Sequence, residues 1–110
     1  MINDVHCHFF STRFFEILGG QLSPAEDDAS TTLPERLGWD APGSPEALAD
    51  RWVQTLDAQE VGRAAVMASL PGDEASVGTA VRRHPGRLVG MTMFNPVAPD
   101  ADVRIRTALE

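Results

Sequence analysis

Asp4-Val5-His6-Cys7-His8-Phe9-Phe10 is the stretch from which the rest of the chain is best read. Two histidines sit two residues apart inside a short apolar run. Side chains alternate across a strand, so a strand here points His6 and His8 to one face, with Asp4 at the same parity. Val5, Cys7 and Phe9 then share the opposite, packing face. The run reads as a buried strand, and a buried polar face needs partners. Imidazole is a common metal ligand, which makes His6 and His8 the candidate metal ligands. A harmless pair of histidines on an exposed strand is the alternative that the geometry has to answer.

Working outward, Ser11 or Thr12 can cap a short helix carrying Phe14, Phe15 and Leu18, and Gly19-Gly20 is expected to end it. Residues 21–44 hold Pro24, Pro34, Pro42 and the acidic cluster Glu26-Asp27-Asp28, and they read as a long loop or insertion. One helical turn is expected near Leu33 and Leu37; Trp39 is the segment's large apolar anchor, and the acidic cluster reads as solvated. Ser44-Pro45-Glu46 opens the clearest helix: a good N-cap, a proline suited to the first helical position and an acid at the positive end of the dipole. Leu48, Ala49, Trp52, Val53 and Leu56 give it an apolar face, and it is expected to end near Gly62.

Ala64-Ala65-Val66-Met67-Ala68-Ser69 follows as a buried strand, and Pro71-Gly72-Asp73 breaks it and caps the next helix. That helix has Val77, Ala80 and Val81 inward and ends at Arg82, Arg83 and His84 before Pro85-Gly86. His84 reads as a surface residue at a helix end. Leu88 to Phe94 reads as a third strand, Asn95-Pro96 as its exit, and Asp100 as the start of a last helix with Ala101, Ile105, Ala108 and Leu109 apolar. Alternation of strand and helix predicts an α/β fold with a parallel sheet and right-handed crossovers. Three parallel strands leave two open edges, so the chain is expected to be the N-terminal β/α units of a larger, TIM-type (β/α)8 barrel.

The bulk properties narrow the function. The 110 residues suit one small domain, 43% apolar and 23% charged. A net charge of −7 argues against a nucleic-acid surface, and no apolar run is long enough for a membrane helix. There is no basic-then-apolar secretory signal, and the single cysteine, Cys7, cannot form an internal disulfide; a reduced, cytoplasmic setting is the expectation. Cys7, at the parity opposite to the histidines, reads as a packing residue.

Residues 2–10, Ile2 to Phe10, resemble the opening strand of metal-dependent amidohydrolases. More closely, the chain is similar to the amidohydrolase-2 family, which includes aminocarboxymuconate-semialdehyde decarboxylase. Leu56 to Val66 resembles that family's first main helix entering strand two. Arg83-His84-Pro85-Gly86-Arg87-Leu88-Val89-Gly90 resembles its entry into strand three, with Pro96 fitting after it. Asn3 departs from the aliphatic residue usual there. The resemblance implies a (β/α)8 barrel with its site at the C-terminal ends of the strands. His6 and His8 would be the strand-one ligands of a divalent metal, zinc first among them, completed by residues of later strands.

Such a metal lowers the pKa of its water to about 7 and supports hydrolysis or non-oxidative decarboxylation of a small carboxylated substrate. Ser69, Phe94 and Asn95, at the tops of strands two and three, are candidate pocket residues, with ordinary turn roles as the alternative. Asp4 is either an outer partner of His6 or a backbone-bonding residue. The isolated chain is expected to be inactive, since the later ligands fall outside it. The expected partners are a small-molecule substrate and, in an oligomer, further copies of the chain. Two other readings stand beside this one: a TatD-like or phosphoesterase barrel, and a non-catalytic module acting through assembly.

Overall fold

The computed structural model describes residues 1–22 and 29–110; Glu26, Asp27 and Asp28, read from sequence as solvated, lie outside the described residues. The described chain is mixed α/β: β1 (Ile2–His8), α1 (Thr12–Leu22), α2 (Ala29–Arg36), α3 (Pro45–Ala58), β2 (Val61–Met67), α4 (Glu74–Arg83), β3 (Leu88–Met91) and α5 (Ala101–Leu109). The three strands form one parallel sheet in the order β1-β2-β3, as the alternation predicts.

The central strand carries the core. Ala64 and Val66, two apart and therefore on one face, are buried, with Ala68 just beyond them. They pack with Cys7 and Phe9 from the first strand, Ala49 and Leu56 of α3, and Val77 and Ala80 of α4. The helices approach closely: a Cβ on Gly90 would lie 2.9 Å from Val77 Cγ1 and 3.1 Å from Val81 Cγ2. On the opposite side of the sheet stand His6 and His8, exposed, and Val89 is half-exposed.

Expected caps form at α3. Ser44 Oγ accepts from Ala47 N at 3.1 Å, with Pro45 at the first helical position and Glu46 in the first turn.

Several local expectations give way. Gly19-Gly20 does not end α1, which runs on to Leu22; neither glycine takes the positive φ of a helix-ending turn, and Gly19 is buried on the packing face. Within the predicted loop at 21–44, α2 begins at Ala29 and exceeds a single turn. It ends soon after Pro34 because the Pro34 carbonyl accepts from Leu37 and Trp39, and Gly38 turns the chain with φ 71°. The third strand stops at Met91, not Phe94: Ala68 N bonds Met91 O, and β2 supplies no ladder beyond that point. The first strand, read as buried, lies at the sheet edge with only Cys7 buried in it. One flank pairs with β2 and helices cover one face alone.

Candidate metal centre

The site begins with a break in register. Asp4 pairs with Ala64 but Cys7 pairs with Val66, so β1 spends one extra residue between them. The bulge moves Asp4 out of the histidines' parity and onto the side of Cys7. Its Oδ1 accepts from the His6 backbone N at 3.0 Å, and its carboxylate also takes the Cys7 thiol. These bonds, the His6 amide first, hold Asp4 below its ordinary value. Of the two roles open to Asp4, the structure takes the backbone one. Burial, and then the neighbouring Asp4, push the Cys7 thiol up to about 11. It is a neutral packing group, as its parity suggested.

His6 lies within the irregular stretch and His8 just after it, and the two imidazoles come together. His6 Nε2 and His8 Nε2 are 3.3 Å apart, with the rings edge-on. Two nitrogens bound to one zinc at ~2.0–2.1 Å in a tetrahedron lie about 3.3 Å apart, so the pair already spans one tetrahedral edge. His8 Nδ1 is 2.7 Å from Ser69 Oγ, just beyond the end of β2. His6 has no comparable outer partner among the described residues. No group of three or more His, Cys, Asp or Glu that could hold a metal occurs among the described residues; His6 and His8 are a pair of candidate ligands with no third beside them among those residues.

An aromatic ladder leads away from the pair. His8 stacks on Phe10 with ring centres 5.5 Å apart, and Phe10 stacks on Trp39 at 5.7 Å. Beside them lies a cavity of about 170 Å³ lined by His8, Phe10, Trp39, Arg51 and Trp52, among others. Its outer wall is tied down: Arg51 Nη2 donates to the carbonyls of Ala41 and Pro42, and Thr12 Oγ1 to that of Gly43. Sequence singled out Trp39 only as an anchor and missed Arg51, which looks like any polar residue of an amphipathic helix.

Of the three predicted pocket residues, Ser69 alone reaches the histidines. Phe94 lines a separate cavity of about 360 Å³ between α4, β3 and α5, and Asn95 Oδ1 accepts from Val97 N to close a turn.

A second polar pair braces the same end of the sheet. Ser11 Oγ accepts from Phe14 N at 2.9 Å, capping α1, and donates to both carboxylate oxygens of Asp73 at 2.8 and 2.7 Å. Asp73 is fully buried and makes no side-chain cap of α4, contrary to its expected role. Burial raises its pKa, partly offset by the hydroxyls of Ser76 and Ser11.

No family model, curated protein or solved structure matches the chain.

Proposed function

We propose that this chain is the metal-bearing N-terminal part of an amidohydrolase-type (β/α)8 barrel, with His6 and His8 as strand-one ligands of a divalent metal, zinc foremost. The observation that carries the reading is the 3.3 Å separation of the two Nε2 atoms, which matches an edge of tetrahedral zinc coordination. When bound, the metal supplies a Lewis acid and a water of lowered pKa. The chain's own groups orient His8 through Ser69 and offer an aromatic wall beside it. The substrate is a small carboxylated molecule, and the reaction is hydrolysis or decarboxylation. Ligands from later strands complete the site, so the isolated chain binds metal without turning over.

A parallel sheet normally has both faces covered. The helix-free face that carries His6, His8 and Val89 supports the barrel, whose interior it would line. It also supports the second reading, a module that buries this face in an assembly. The phosphoesterase reading has less behind it, because Arg63 and Arg87 lie at the entrances of the strands and donate to the Gly86 and Gly62 carbonyls.

Calorimetric titration with zinc separates these readings. Weak, stoichiometric binding is expected in the wild type and none in the His6→Ala/His8→Ala double variant; equal affinity in both would sink the ligand assignment.

A further inference from the structure

The two candidate ligands are not equally prepared. His6 can bind a metal through Nε2 only if the ring proton sits on Nδ1, and no hydrogen bond to His6 Nδ1 forms among the described residues; Asp4 bonds the His6 amide and Cys7 instead. His8 differs. Its Nδ1 faces the Ser69 hydroxyl at 2.7 Å, and that hydroxyl has no other hydrogen bond among the described residues. The hydroxyl is therefore free to turn its lone pair toward Nδ1–H. The proton then stays on Nδ1, and Nε2, which faces His6 Nε2, keeps a bare lone pair. The 3.3 Å gap between the Nε2 atoms leaves room for one proton, and with His8 bare it belongs to His6. Phe10 holds the His8 ring plane independently by stacking, so loss of the Ser69 hydroxyl alters the proton's position more than the ring's.

We infer that Ser69 is a positioning residue that sets the tautomer of His8 and makes its Nε2 the ligand atom. The affinity consequence rests on the metal reading above; the tautomer consequence does not. Nitrogen-15 NMR of the metal-free protein at about pH 8, above the ordinary histidine range, reads the tautomer directly. The wild type should show His8 with Nδ1 protonated and Nε2 bare. Ser69→Ala should move His8 toward the Nε2-protonated form, and Ser69→Thr, which keeps the hydroxyl, should restore the wild-type pattern. In zinc titrations Ser69→Ala should weaken binding roughly 10–100-fold, the usual effect of removing an outer hydrogen-bond partner, and Ser69→Thr should recover it. An unchanged His8 tautomer in Ser69→Ala overturns the inference. Failure of the wild type to bind zinc overturns the metal reading and leaves the tautomer result to stand or fall alone.

Discussion

The two ends of the sheet use the same residue types to opposite effect. Where the strands enter, Arg83, His84, Arg87 and Arg63 all find partners. Asp50 takes both Arg83 Nε and Nη2, at 2.6 and 2.8 Å, and also His84 Nε2 at 2.7 Å. Arg87 bonds Gly62 O and pairs with Asp57 at 2.7 Å, and Arg63 bonds Gly86 O. Where the strands leave, the histidine rings find each other and a serine hydroxyl but, among the described residues, no carboxylate. Asp73, a fully buried carboxylate at that end, is held by hydroxyls. A histidine closed by a carboxylate is finished as structure; a pair of nitrogens left facing one another can still take a ligand. His84 and His6–His8 are the two cases within one chain.

The largest expected effect strikes beneath the exit end. Phe9 is fully buried in the core below the histidines, and Phe9→Ala should cost about 3–5 kcal/mol in urea denaturation. Loss of zinc binding with the fold intact would show that the site depends on this packing more than stability does. Next, Asp73→Ala removes the acceptor of the buried Ser11 hydroxyl and should cost about 1–3 kcal/mol. Gly90→Ala pushes a methyl into Val77 and Val81 and should cost about 1–3 kcal/mol; the histidine tautomers should not change, since Gly90 lies on the helix side.

The two carboxylates should respond to pH with opposite signs. Asp73 has a raised folded pKa, so the folded state holds its proton longer than the unfolded chain. The stability this adds is complete below the ordinary value of 3.8 and is lost as pH rises through the raised one. Arg83 first, then His84, hold Asp50 well below the carboxylate range, so its contribution is present above 3.8 and lost as pH falls. Denaturation midpoints measured between acid and neutral pH should therefore flatten in opposite directions in Asp73→Asn and Asp50→Asn. The Asp50 effect should be the smallest of the series and fade with added salt, because the pair is solvent-screened. A larger loss from Asp50→Asn than from Asp73→Ala would reverse the comparison.

Much of the frame was readable because its signals are local. Ser44-Pro45-Glu46 caps α3 through contacts three residues apart, and the alternation of strand and helix follows from hydrophobic period. The histidine pair was readable for the same reason: period two places His6 and His8 on one side, and the irregular pairing beside them left that spacing intact. Asp4 was misplaced because a bulge is invisible in period two until the partner strand shows which residue goes unpaired. Asp73 looked like a helix cap because its local signal is that of a cap, yet its carboxylate turned to Ser11, sixty-two positions away. Phe94 and Asn95 follow a strand end, which is the position of a pocket residue, but Phe94 lines the cavity between α4 and α5 and Asn95 closes a turn.

The amino-acid order by itself determined the parallel α/β pattern, the helix boundaries at Ser44 and near His84, and a histidine pair on one face of the first strand. These follow from backbone period and neighbouring side chains, which no distant contact is needed to read. Only the tertiary structure decided that the two Nε2 atoms stand one tetrahedral edge apart, that Ser69 and not Asp4 meets a histidine ring, and that β1 lies exposed at the sheet edge. Each depends on how strands pair in register and which residue a crossover brings alongside, distances set by the packing of segments far apart in the chain.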